Sequence, residues 1–332
     1  WSVPEAIVYP ASPAGGPMDA KQDRLGAFHL VYAAEGGVYY LHSDSEGLTW
    51  TEPVVVSGGG DTTTVGAPRL DIGPDGRIHV VWDEWPSDGD PAESSRVYYA
   101  HSTAGGRGWS KPRQLGELAN RGGNVLAAED GTVYLAWQAG LNSPNVGRFL
   151  QRSADGGDTW EGQLSFSRAE GQSGYPCLAL DSLGTLHILT GEGEYAFWDG
   201  QFVSSPVDLR PLPEQTENAR LALVNGNQLL VVIGPFFGPS IYYSVKELPL
   251  PAQPILPTLD RGSAVAMPTP LAIASSTAST GTSTATAFAF DATALPAERP
   301  VSSTVPALAL SVGMSLACVV VVVIVRLCRA RL

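Results

Sequence analysis

The chain is poor in the residues that staple or metallate small domains. It has three Cys: Cys177 stands alone before residue 249, and Cys318 and Cys328 lie in or beside an apolar tail. No disulfide can form within the large N-terminal part, so its fold must rest on a hydrophobic core. No His-x-x-x-His or Cys-x-x-Cys spacing occurs, so no metal is expected. No Gly-rich loop opens a helix, which argues against nucleotide binding, and no cofactor is expected. No Asn-x-Ser/Thr sequon with a permitted middle residue is present, which favours a bacterial surface protein over a secreted eukaryotic one. The chain begins at Trp1 with neither Met nor a signal-peptide pattern, so a processed or truncated start is expected. Positive charge is scarce as well. Only 15 of the 20 Lys+Arg precede residue 249, against 30 of the 33 Asp+Glu, a net charge of −15 on that part. Such a field repels phosphate backbones and excludes nucleic acid as a natural partner. It also repels acidic glycans at long range, so a site for an anionic sugar would need a local cluster of Arg.

Four regions follow from composition. Residues 1–248 carry nearly all the aromatics and charges, enough chain for one large all-β domain. Residues 249–304 are rich in Pro, Ala, Ser and Thr. Pro249, Pro251, Pro254, Pro257, Pro268 and Pro270 forbid a continuous helix or central strand. The run from Ala274 has no apolar period to bury. It reads as a disordered stalk reaching roughly 40 Å as a coil. Val305–Val325 is uncharged and long enough to span a bilayer as one helix. Arg326, Arg329 and Arg331 follow in a short basic tail at 326–332, so the positive-inside rule puts the C-terminus in the cytoplasm and the head outside the cell. The expectation is a single-pass cell-membrane protein.

The head is repetitive. Three tips share a pattern: Ser43-Asp-Ser-Glu-Gly-Leu-Thr-Trp50, Ser102-Thr-Ala-Gly-Gly-Arg-Gly-Trp109 and Ser153-Ala-Asp-Gly-Gly-Asp-Thr-Trp160. A short strand follows each Trp, as in Thr51-Glu-Pro and Ser110-Lys-Pro. Trp1-Ser-Val-Pro opens the chain in the same way. Between the tips a Gly turn precedes an apolar strand: Gly26-Ala-Phe-His-Leu, Gly76-Arg-Ile-His-Val, Gly131-Thr-Val-Tyr-Leu, Gly184-Thr-Leu-His-Ile and, more loosely, Gly226-Asn-Gln-Leu-Leu. A third strand repeats as Val38-Tyr-Tyr, Val97-Tyr-Tyr, Arg148-Phe-Leu, Glu194-Tyr-Ala and Ile241-Tyr-Tyr. A fourth element precedes the Gly turn, as in Pro68-Arg-Leu-Asp-Ile.

Each unit therefore holds four short strands, and the fixed period favours a β-propeller of about five blades. The fifth unit lacks its outer strand before the stalk. Two readings stand: the Trp1–Val8 strand closes that blade and removes its open edge, or the chain is part of a six-bladed parent. His29, His79 and His187 share one repeat position, filled by Tyr134 in the third unit, and are expected to pack between blades rather than bind metal.

The tips resemble the Asp-box, Ser-x-Asp-x-Gly-x-Thr-Trp, of the sialidase (neuraminidase) superfamily. Ser153, Asp155, Gly157, Thr159 and Trp160 match it fully. The first copy keeps Ser43, Gly47, Thr49 and Trp50, with acid at Asp44 and Glu46 instead of the third position. The second keeps Ser102, Gly106 and Trp109, with Ala104 for the Asp. In such proteins the boxes are structural and lie away from the active face. The resemblance implies a glycan or glycoprotein ligand. It also implies a catalytic set of three Arg for a sugar carboxylate, a Tyr nucleophile activated by a Glu, and an Asp general acid. The matching candidates are Arg69, Arg121 and Arg220 near inner-strand starts, Asp83 and Glu84 in the long Asp83–Ser95 loop, Glu192 in the equivalent loop of the fourth unit, and Tyr175. The Arg-Ile-Pro signature that opens many sialidases is absent. An exo-sialidase-type hydrolase and a non-catalytic propeller that binds a glycan or protein both fit the residues.

Overall fold

The computed structural model describes residues 17–252, apart from 35, 59, 61, 103–104, 118, 141–142, 144–145, 168–174, 210–215 and 236–240. The Trp1–Val8 strand, the stalk beyond Ala252, the Val305–Val325 segment and the basic tail lie outside the described residues. Among the described residues, no helix is long and apolar enough to cross a membrane.

The described chain is all-β and folds as consecutive antiparallel sheets. Sheet one holds β1 (Met18–Gln22), β2 (Phe28–Ala34), β3 (Gly37–Ser43) and β4 (Val54–Gly58) in that order. Sheet two holds β5 (Thr63–Ile72), β6 (Ile78–Pro86), β7 (Arg96–His101) and β8 (Arg113–Leu115), with the short helix α1 (Pro91–Ser94) between β6 and β7. Sheet three holds β9 (Asn120–Ala127), β10 (Val133–Ala139), β11 (Gly147–Ser153) and β12 (Leu164–Ser167). Sheet four holds β13 (Cys177–Leu180), β14 (Leu186–Leu189), β15 (Glu194–Trp198) and β16 (Val207–Asp208). Sheet five holds β17 (Thr216–Val224), β18 (Gln228–Pro235) and β19 (Tyr242–Glu247).

The first strands of successive sheets touch one another: β1 with β5, β5 with β9, β9 with β13, and β13 with β17. That is the arrangement of blades whose inner strands line a common axis, and the fold is propeller-like. Central strands are apolar on both faces because a neighbour covers each face. All seven residues of β10 are buried. Each fully buried Leu or Val there contributes about 1.5–3 kcal/mol.

Four apolar cores lie between sheets among the described residues. Val31, Tyr40, Leu70 and Trp82 join sheets one and two. Val81, Tyr99, Leu135 and Trp137 join two and three. Tyr134, Leu150, Ile188 and Trp198 join three and four. Leu189, Tyr195, Val231 and Ile233 join four and five. Inner-strand carboxylates add polar fasteners. Asp19 accepts from Leu70 N at 3.0 Å, and Asp71 accepts from Ala127 N at 2.8 Å, each reaching the next sheet.

The repeated His residues are packing groups. His29, His79 and His187 each meet a Tyr hydroxyl on the adjacent strand, Tyr40, Tyr99 and Tyr195, at 2.7–2.8 Å. The same Tyr rings receive the Trp of the next tip: Trp109 sits edge-on to Tyr40 at 5.5 Å and Trp160 to Tyr99 at 5.1 Å. The tips therefore lock neighbouring sheets together.

In the third tip, Asp155 accepts from Thr159 N at 2.8 Å, and Ser153 Oγ accepts from Gly157 N at 2.8 Å. In the first tip, Ser45 takes the place expected of an acid. Its Oγ accepts from Thr49 N at 2.7 Å, while the Asp44 side chain is 78% exposed. A hydroxyl suffices because the bond needed is one acceptor for a turn N–H. A further difference concerns the Asp83–Ser95 loop. β6 continues to Pro86 and pairs with Thr63–Gly66 of β5, so Asp83 and Glu84 belong to a strand.

Candidate functional site

The site is built by β-bulges in two neighbouring inner strands. In β5 the register with β6 shifts between Gly66, opposite Asp83, and Arg69, opposite Val81. One extra residue enters β5, and Ala67 adopts a φ of 42°. Such a φ is unfavourable for a residue with a Cβ, and bulges of this kind re-aim the side chains beside them. Without the bulge, strand alternation would put Gly66 and Arg69 on opposite faces. With it, Arg69 joins Gly66, Val81 and Asp83 on the face turned to sheet three. In β9 a second shift falls between Asn124 and Arg121, at Gly122 and Gly123.

These bulges bring four of the sequence-derived candidates together. Asp83 is 3% exposed. It accepts from Gly122 N at 3.1 Å and 3.0 Å through its two oxygens. Tyr175, immediately before sheet four, donates its hydroxyl to Asp83 Oδ2 at 3.4 Å. The Arg69 guanidinium carbon lies 5.4 Å from the centre of the Tyr175 ring. Arg121 is close enough to act on both Asp83 and Tyr175 through its charge.

The electrostatics follow from depth. Burial pushes the Asp83 carboxyl up to about 6, against the pull of the Gly122 and Gly123 N–H groups and the Arg121 charge. Burial, followed by the Asp83 charge, raises the Tyr175 phenol, and Arg69 and Arg121 oppose that rise. The centre thus combines a tyrosine hydroxyl, a carboxyl able to hold or release a proton near neutrality, and two guanidinium groups.

The other candidates lie elsewhere. Glu84 follows Asp83 in the chain but points to the opposite face of sheet two, where it accepts from Trp82 Nε1 at 2.7 Å and Ser57 Oγ at 3.1 Å. Glu192 belongs to a buried ion pair between sheets three and four. Arg148, 2% exposed, meets Glu192 at 2.7 Å and Glu194 at 2.9 Å. That guanidinium was legible only as part of an apolar third-strand repeat, Arg148-Phe-Leu. Arg220 follows Ala219, which is buried against sheet four, so alternation turns Arg220 to the other face of sheet five. It donates to its neighbour's carbonyl, Ala219 O, at 2.9 Å.

No family model matches the sequence, and no curated protein matches it. Solved structures do resemble the fold. A leech intramolecular trans-sialidase complexed with 2,7-anhydro-Neu5Ac aligns with a TM-score of 0.51 at 12% identity, over 74% of this chain and 63% of that one. An α-L-arabinanase from Penicillium chrysogenum complexed with arabinobiose gives 0.49 at 14% identity, over 70% and 76%. A mutant of the NanB sialidase from Streptococcus pneumoniae gives 0.48 at 10% identity, over 69% and 58%. The chain therefore spans less than two thirds of either sialidase chain. The leech alignment supports a propeller-like fold. At such identity it says nothing of activity.

Proposed function

We propose that this chain is a glycan-directed propeller whose junction of sheets two, three and four takes the carboxylate of an acidic sugar. Exo-sialidase-type hydrolysis is the enzyme form of this reading. One observation carries it: Arg69, Arg121, Tyr175 and Asp83, scattered over more than a hundred residues, meet at one place. Two guanidinium groups provide the local positive charge that an acidic ligand needs against the −15 field of the head. A neutral Tyr nucleophile suits an anionic substrate. In the first step the Tyr175 oxygen bonds to the anomeric carbon and its proton passes to Asp83. The bond to the leaving oxygen breaks, and that oxygen takes a proton from solvent. In the second step water bonds to the anomeric carbon and gives a proton to solvent, the bond to Tyr175 breaks, and Asp83 returns its proton to the phenol oxygen. The head stands outside a cell, held through the stalk by the Val305–Val325 span.

A non-catalytic binder is the second reading. Its support is the commitment of both Asp83 oxygens to the Gly122 amide, which makes Asp83 a fastener between sheets. The full chain, assayed with a fluorogenic sialoside and on an array of acidic glycans, separates the two. Turnover lost in Tyr175→Phe with binding retained supports the enzyme. Binding without turnover, abolished by Arg69→Ala, supports the binder. Neither turnover nor acidic-glycan binding sinks both.

A further inference from the structure

We infer that Trp85 is the stacking platform for the sugar ring at this site. The inference rests on the proposed acidic-sugar reading and adds the surface that would hold the ring itself. Trp85 lies two residues beyond Asp83 on β6, so both side chains leave the same face of sheet two. Glu84, between them, confirms the alternation by pointing to Trp82 and Ser57 on the other face. Two strand residues separate the Asp83 and Trp85 Cα atoms by about 7 Å along β6, comparable to the span of one pyranose ring.

The Trp85 indole is positioned by an absence. It lies across Gly66 of β5, where a Cβ would stand 2.8 Å from Cζ3 and 2.9 Å from Cη2 of the ring. Any side chain at 66 would lift the indole off the strand. The Gly66 backbone lies outside the left-handed region, so close approach of the indole, and not backbone strain, is what requires glycine there. Trp85 belongs to none of the apolar cores between sheets and remains half-buried. A large aromatic on the site-bearing face, held by glycine and left out of the cores, offers a flat apolar surface next to the polar cluster. Sugar rings present an apolar face of C–H groups alongside polar edges. Arg69 and Arg121 would then take the carboxylate while Trp85 takes that face.

Titration of the full chain with sialyllactose by calorimetry tests this, with thermal melting of every variant. Trp85→Ala should weaken binding about tenfold. Trp85→Phe should recover most of it. Gly66→Ala should weaken binding although the indole remains, because its new methyl displaces the ring. The melting temperatures of the Trp85 variants should stay near that of the parent. If Arg69→Ala abolishes binding while Trp85→Ala and Gly66→Ala bind like the parent, the platform is wrong and the acidic-sugar site survives. If the parent does not bind, or Arg69→Ala changes nothing, the site reading fails and the platform falls with it.

Discussion

Two flanks of this molecule carry similar apolar patterns with opposite outcomes. Between sheets two and three, Val81, Val97, Tyr99, Leu135 and Trp137 are buried against one another. On sheet five the face turned away from sheet four carries Ile241, Tyr243 and Val245, and Tyr243 is 78% exposed. Both flanks descend from the same repeat, the Val-Tyr-Tyr and Ile-Tyr-Tyr third strands. The difference teaches that the repeat writes a sticky strand, and that burial comes only where a second sheet arrives to cover it. The sheet two–three flank is also where the bulges place Asp83, so the best-packed junction and the polar cluster coincide.

The largest expected effect separates the two flanks directly. Trp137→Ala should cost about 3–5 kcal/mol in urea unfolding, because a fully buried indole leaves a cavity. Tyr243→Ala should cost less than about 0.5 kcal/mol. A cost for Tyr243→Ala near that of Trp137→Ala would mean that sheet five's face is covered in solution, and the contrast would collapse.

A smaller contrast concerns the tips. Gly157 and Gly47 share φ values of 92° and 89°. A Cβ on Gly157 would stand 2.0 Å from the Tyr99 hydroxyl, whereas one on Gly47 meets nothing within 4 Å. Alanine at either site incurs the left-handed cost of about 1–2 kcal/mol. Gly157→Ala should lose about 1–3 kcal/mol more through overpacking against sheet two. Equal losses in thermal melts would show that the third tip does not brace that junction.

The smallest effect is a pH slope carried by the sheet two–three junction. Burial holds the His79 imidazole down at about 3, against 6.5 when free. Its contribution is therefore complete above pH 6.5 and is lost as pH falls from there towards 3. Asp83 acts with the opposite sign. Its folded value of about 6 exceeds the free value of 3.8, so its contribution is complete below 3.8 and is lost as pH rises through 6. Urea midpoints measured from pH 7 down to 4 should fall less steeply in His79→Gln than in the parent. In Asp83→Asn they should fall more steeply, since the opposing term is gone. Identical slopes in all three proteins would remove both groups from the pH dependence.

Much of the architecture was legible because it is local and repeated. The Gly turns, the Tyr-Tyr strands and the Ser–Trp tips mark most strands within short windows, whereas β1 and β16 carry no repeat motif; the fifth sheet has three strands among the described residues, and the Trp1–Val8 strand that one reading assigns to it lies outside them. The site was legible only in part. Arg69, Arg121, Asp83 and Tyr175 are chemically suitable by residue type. Nothing local separated them from Glu84, Glu192 and Arg220, which answer to other partners. Arg148 was hidden because the first, second and fifth units carry Val38, Val97 and Ile241 at its repeat position, and Trp85 because the segment around it reads as a loop but is strand.

By itself, then, the sequence determined the strand order, the turn chemistry and the acidic balance, since each depends on neighbours in the chain or on composition alone. Only the tertiary structure decided which side chains meet. An extra residue at Ala67 reverses the facing of everything beyond it. Whether a carboxylate becomes a fastener, an ion-pair partner or part of a binding cluster depends on which sheet packs against that face. Those are long-range pairings that strand periodicity does not encode.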